Sequence, residues 1–273
     1  MSNPVLAFAD TSIEVKGRAL RVRVYGKRRA GAAVPLVVHF HGGAFVDGDL
    51  ESGECMAQLL VEAGANVVSV AYPLAPEHRF PDAVEAGYAA LEWTYKNRAK
   101  LAGTGAPVYL AGDEAGGNLA AAIALVARDR AHPPLAGQIL VAPMLDPCVG
   151  TASLRESMPC DTTGCKWAEG WQQYLRGPMD AEHPYAVPGK ATRLAGLPPA
   201  LVLTGCDDPM RDEAMQYADR LRAAGIEVTG EVLRSQTDWP ESLAERNPDE
   251  CPCASEVREH LRAFFQPALA PSG

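Results

Sequence analysis

Apolar and polar positions alternate at the start of the chain and then give way to solid apolar runs. TSIEVKG (11–17) and ALRVRVYG (19–26) show the two-residue period of half-buried strands and predict an antiparallel hairpin. PLVVHF (35–40), NVVSVAY (66–72), PVYLAG (107–112), GQILVAP (137–143) and PALVLTG (199–205) are continuous apolar runs, as expected for strands covered on both faces. IEVTGEVL (226–233) predicts a last strand. Helical patterns lie between them. One runs from Ser52 to Ala63 and ends in a glycine, and one from Pro81 to Lys100 opens on proline. A third spans Ala115–Ala131. The segment from Pro209 to Gly225 places Ala214, Tyr217, Ala218 and Leu221 on one face, and SEVREHLRAFF closes the chain.

Alternating buried strands and helices predict a mostly parallel sheet with helices on both faces. The 273 residues suffice for a single α/β domain over 1–273. Residues 148–190 break the rhythm. They are irregular and carry Trp167 and Trp171, and they are expected to form a cap-like insertion over the sheet edge.

A net charge of -9 speaks against nucleic acid or an anionic membrane as partner. The N-terminus has no basic stretch followed by an apolar core, so no signal peptide is expected. No run reaches the roughly 18 apolar residues of a membrane helix, and the default expectation is a cytoplasmic protein. Seven cysteines are mostly free thiols in a reducing compartment. Cys55 and Cys206 lie in apolar stretches and are expected to be buried. Cys160, Cys165, Cys251 and Cys253 lie in loop-like sequence, where free thiols are favoured over a disulfide or a structural metal.

Two stretches carry candidate chemistry. HFHGGAFVDGD (39–49) follows a buried strand, and Gly42 and Gly43 allow a turn that aims backbone N–H groups into a shared space. Such donors suit charge developing on a carbonyl oxygen. GDEAGG (112–117) has the strand–turn–helix context and spacing of a G-x-S-x-G nucleophile elbow, but the residue displayed is Glu114. The N–H of Ala115 would be a further donor, and the dipole of the helix beginning there favours an anion.

With HFHGGAFVDGDL, AYPLAPEHRFPDAV, AGDEAGGNLAAA, HPYAVP and LPPALVLTGCDDPMRDEAMQYADRLRAAGIEV in that order, the chain resembles the hormone-sensitive-lipase-like group of α/β-hydrolases over roughly Val34 to Val232. The resemblance implies an α/β-hydrolase fold with about eight strands, a reduced cap, ester hydrolysis by a Ser-Asp-His triad, and no cofactor or metal. It places the oxyanion hole on Gly42, Gly43, Ala44 and Ala115, and the triad on Glu114, Asp208 and a position near Asp238. His78 and His183 fall in other motifs and are expected to be structural. No histidine lies between His183 and His260, and His260 belongs to the C-terminal helical pattern.

Without the serine and the histidine, the expectation is a protein inactive as a serine esterase and retained for binding a small molecule or a partner. The alternative is an enzyme using Glu114 as carboxylate base or nucleophile, in non-hydrolytic acid/base chemistry or weak ester hydrolysis. If Glu114, Asp208 and Asp238 converge, they share a proton, take up a cation such as Mg²⁺ or Ca²⁺, or pair with Arg79, Arg211 or Arg234; arginine pairing or proton sharing is favoured. Relatives often dimerise through an edge strand or the last helix, so a homodimer is a further expectation.

Overall fold

A computed structural model describes residues 7–269 apart from 16, 27–32, 149, 158–164, 236 and 245–251. Eight strands form one sheet in the order β1-β2-β4-β3-β5-β6-β7-β8. The hairpin β1 (Phe8–Val15) and β2 (Arg18–Tyr25) is antiparallel, and β2 runs antiparallel to β4 (Asn66–Val70). The strands β3 (Leu36–Phe40), β5 (Val108–Asp113), β6 (Gly137–Val141), β7 (Ala200–Gly205) and β8 (Val228–Leu233) continue the sheet in parallel. The sheet and its helices match the architecture that the resemblance implies.

The solid apolar runs are explained by two cores, one on each face. Along β3, Leu36, Val38 and Phe40 enter one core while Val37 enters the other. Along β7, Ala200 and Val202 face one side, and Leu201 and Leu203 the other. Helices α2 (Asp82–Leu101), α3 (Ala115–Asp129) and α7 (Arg211–Ala223) cover the first face. Helices α1 (Glu54–Glu62) and α8 (Ala254–Leu269) cover the second. The apolar face read from Ala214, Tyr217, Ala218 and Leu221 is buried as the period requires.

Helix α3 is the central one, and its residues Ala115 to Ala127 are all buried. It lies so close to β3 because Gly116 has no side chain. A Cβ there would run into the carbonyls of Phe40 and His41. This contact brings the loop after β3 to the start of α3, where the two candidate stretches meet.

Between β6 and β7 lie α4 (Ala152–Ser157), α5 (Lys166–Tyr174), α6 (Pro178–Ala181) and a 3-10 turn at Pro188–Lys190. Helix α5 packs on the loop after β3. Phe45 stacks on Tyr174 with ring centroids 4.0 Å apart and touches Trp171 at 5.0 Å. No helix among the described residues is long and apolar enough to cross a membrane.

The cysteine expectation needs correction. Cys253 is buried and disulfide-bonded rather than a free thiol, whereas Cys148, Cys165 and Cys206 are free. Cys206 is exposed, not buried, because it follows β7 rather than lying within it. Cys160 and Cys251 lie outside the described residues. Among the described residues no group of three or more His, Cys, Asp and Glu side chains could hold a metal.

Gly116→Ala is expected to lower stability by ~1–3 kcal/mol, because the added methyl has only backbone to displace. The midpoint of urea unfolding measures this, and an unchanged midpoint would show that α3 can move off β3.

Candidate active site

Glu114 sits on a strained turn. Its φ of 51° and ψ of -115° leave the ordinary helical and extended regions, a conformation costing on the order of 1–3 kcal/mol. The surrounding backbone holds it there. The Glu114 N–H donates to Val141 O, and the Glu114 carbonyl accepts from Asn118 N and Met144 N. Asn118 Nδ2 donates to Met144 O and ties the same turn to the end of β6.

The loop after β3 turns through positive φ at Gly43 (107°), Ala44 (49°) and Phe45 (70°). This aims successive N–H groups inward, as the glycine-bearing sequence implied. The occupant of that space is the Glu114 carboxylate. Its Oε2 accepts from Gly43 N at 2.5 Å and Ala44 N at 3.2 Å. Its Oε1 accepts from the indole Nε1 of Trp167 at 2.7 Å, with Lys166 Nζ at 3.9 Å. Only 3% of Glu114 is exposed. Burial pushes its carboxyl above the usual range; the Gly43 amide, the Lys166 charge, the Trp167 indole and the Ala44 amide pull the other way.

The other predicted oxyanion residues have different surroundings. Gly42 is a point of close approach, since a Cβ there would stand 2.8 Å from Asp113 Oδ2 and 2.9 Å from Glu114 Oε2. The Gly42 carbonyl accepts from His41 Nδ1, and Tyr72 donates to the His41 carbonyl. Ala115 is fully buried at the start of α3, and the amides that reach Glu114 are those of Gly43 and Ala44.

Glu114, Asp208 and Asp238 each have different hydrogen-bond partners. Asp208 is 1% exposed and accepts from Thr204 Oγ1 at 2.5 Å and Met210 N at 2.8 Å. Burial raises its carboxyl to about 7. Asp238 is exposed, on a turn with φ of 51°. Its amide and the amide and hydroxyl of Thr237 all donate to Asp207, so Thr237 is buried and the Asp238 side chain is turned outward. The counter-charge also differs from expectation. Arg211 pairs with Glu156 and Asp212, and the cation beside Glu114 is Lys166.

Trp167 and Lys166 were missed as site residues. The irregular, Trp-rich segment was visible in the sequence, but nothing in its spacing aimed an indole N–H at a residue 53 positions away. A buried chain beneath the elbow was missed as well. His39 bonds Ser69 Oγ through Nδ1 at 2.8 Å and Asp113 Oδ1 through Nε2 at 3.2 Å. These are the residue types of a triad, but Ser69 and His39 are fully buried. The chain braces β3, β4 and β5 and offers no nucleophile to a substrate.

Comparison with known proteins adds the family context. The alpha/beta hydrolase fold family model matches residues 37–237. Esterase LipI of Mycobacterium tuberculosis is 37% identical over 86% of this chain and 74% of its own. An arylesterase of Saccharolobus solfataricus is 33% identical over 82% of this chain and 74% of its own. The crystal structure of a thermostable carboxylesterase cloned from a metagenomic library superposes with a TM-score of 0.83 at 33% identity, covering 98% of this chain and 92% of that one. Relatives so named, at this identity and over most of the chain, overturn the expectation of an inactive protein kept for binding.

Asp208 gives a test of the buried electrostatics. The folded protein holds its proton up to about pH 7, while the unfolded chain releases it near ~3.9. Protons bound in the native state alone make stability fall as pH rises through this window and level off above it. Asp208→Asn is expected to flatten that fall by up to about 3 kcal/mol between pH 4.5 and 7.5. A smaller slope remains, because burial also raises Glu114 and Glu213. Urea midpoints across this range measure it, and a slope equal to wild type would contradict it.

Proposed function

Since the chain belongs to the hormone-sensitive-lipase-like alpha/beta hydrolase family, we propose that it hydrolyses carboxylic esters, with the Glu114 carboxylate as general base at the elbow where the family carries serine. The observation that carries this reading is one contact set. The carboxylate and the Gly43 and Ala44 amides meet at one point, with Trp167 holding the other oxygen. A base and oxyanion donors in contact are two of the parts that ester hydrolysis needs.

Turnover begins when the ester carbonyl oxygen replaces Glu114 Oε2 at the Gly43 and Ala44 amides. The carboxylate keeps its bond to Trp167 and takes a water as partner. That water attacks the carbonyl carbon while its proton passes to Glu114, and the oxyanion is held by the two amides. Collapse breaks the bond to the alcohol oxygen, which leaves with the proton from Glu114. The carboxylate is restored, and no acyl group is ever attached to the protein. This route asks for neither a serine nor a histidine, consistent with the absence of histidine from 184 to 259. Burial strengthens Glu114 as a base.

Residues 148–190 act as the cap in this reading, since α5 forms the wall above the carboxylate. Asp208 and Asp238 support the loops beside the site and do not touch the ester. Substrates are short-chain esters, because Glu114 and Trp167 are almost closed off from solvent.

Hydrolysis of p-nitrophenyl acetate should fall ~100-fold or more in Glu114→Gln, the usual span of general-base catalysis. The wild-type rate should rise with pH along a limb set above the ordinary glutamate value, with no initial burst of nitrophenol. A Glu114→Gln protein as fast as wild type would contradict the role of the carboxylate.

A further inference from the structure

Lys166 lies between two carboxylates. Its Nζ is 2.5 Å from Glu241 Oε1 and 3.9 Å from Glu114 Oε1, and it stands 4.8 Å from the centre of the Trp167 ring. Glu241 belongs to the 3-10 turn Glu241–Ala244, just after the loop whose Thr237 and Asp238 are anchored by Asp207. The ammonium therefore connects three parts of the molecule: the cap helix α5, the loop after β8 and the elbow. Adjacent positions 166 and 167 deliver both a charge and an indole N–H to the same oxygen of Glu114.

We propose that Lys166 is a positioning residue for the Glu114 carboxylate and that Glu241 governs it, by competing for the ammonium and holding it back from the base. This rests on Glu114 being the general base. The groups around the carboxylate leave this role to Lys166. Asp113 adjoins it on β5, bonded to the buried His39. His41 is committed to the Gly42 carbonyl, and Tyr72 to the His41 carbonyl. Asp47 is exposed on the loop after β3. Lys166 is the cation that acts on Glu114, and it lies close enough to Glu241 for the two acids to share it.

Removing either partner of the Lys166–Glu241 pair has opposite consequences. Without the ammonium, the Glu114 carboxylate loses a stabilising charge and accepts a proton more readily. Without Glu241, the ammonium is free to close on Glu114 and stabilise its charged form. A merely structural role for either residue would not produce shifts of opposite sign.

The test is the pH–rate profile for p-nitrophenyl acetate of wild type, Lys166→Met and Glu241→Gln. In parallel, the pH titration of Trp167 emission is read as the difference between each protein and the same protein carrying Trp167→Phe. The acid limb should move up by ~0.5–1 pH unit in Lys166→Met and down by a similar amount in Glu241→Gln, since both side chains are about half exposed and partly screened. Lys166→Arg should keep the wild-type limb, and both shifts should shrink in about 0.5 M salt. Limbs that stay in place, or move in the same direction, would overturn the proposal. The emission titration separates this from the ester reading. If Glu114→Gln keeps full activity, the base assignment fails, yet opposite shifts in Trp167 emission would still uphold the shared ammonium. Unmoved emission would overturn it.

Discussion

Everything around the elbow depends on a buried carboxylate satisfied from three sides. An ionised glutamate taken out of water is costly unless hydrogen bonds and charge replace its hydration. Here two backbone amides, one indole N–H and a nearby ammonium do so. These groups come from the loop after β3 and from α5, which lie far apart in sequence. The carboxylate thus joins the loop after β3, the start of α3 and helix α5 in a single contact. Removing it would leave two inward amides and an indole without a partner, so its role in the fold and the chemistry proposed for it cannot be separated by simple deletion.

The scaffold is arranged to hold this point. Gly116 lets α3 approach β3, and the parallel order β3-β5-β6 puts the ends of three strands beneath the elbow. The His39 chain to Ser69 and Asp113 ties the central strands together from inside. On the far side, Asp207 gathers the backbone of Thr237 and Asp238, and so fixes the loop from which Glu241 reaches Lys166. From above, α5 closes over the site through the Trp167 indole and the Phe45–Tyr174 stack.

Much of this could be read from the chain itself. The strands were legible because a parallel strand buried on both faces needs an unbroken apolar run, as in PLVVHF and PALVLTG. The elbow was legible because small residues must sit at 112 and 116 for strand and helix to pack. The companions of Glu114 were not. Trp167 and Lys166 lie in a segment without periodicity, so no pattern announced which side chain would turn inward. The exposure of Asp238 was not legible either, because it accompanies the capture of that loop's backbone by Asp207. The oxidation of Cys253 was hidden too, since pairing depends on distances that spacing does not supply. The largest misreading was functional. An elbow displaying Glu114 suggested lost activity, whereas relatives named as esterases, 33% and 37% identical over most of the chain, point to a functional esterase.

The most direct test of this account is a single turnover of a short-chain ester in H₂¹⁸O with enzyme in excess. If Glu114 activates water, the first acid released carries ¹⁸O, and the peptide containing Glu114 keeps its original mass. Unlabelled acid from that first turnover, with ¹⁸O appearing in the Glu114 peptide, would make the carboxylate a nucleophile and contradict the account. Acid release no faster than in the enzyme-free blank would contradict it as well.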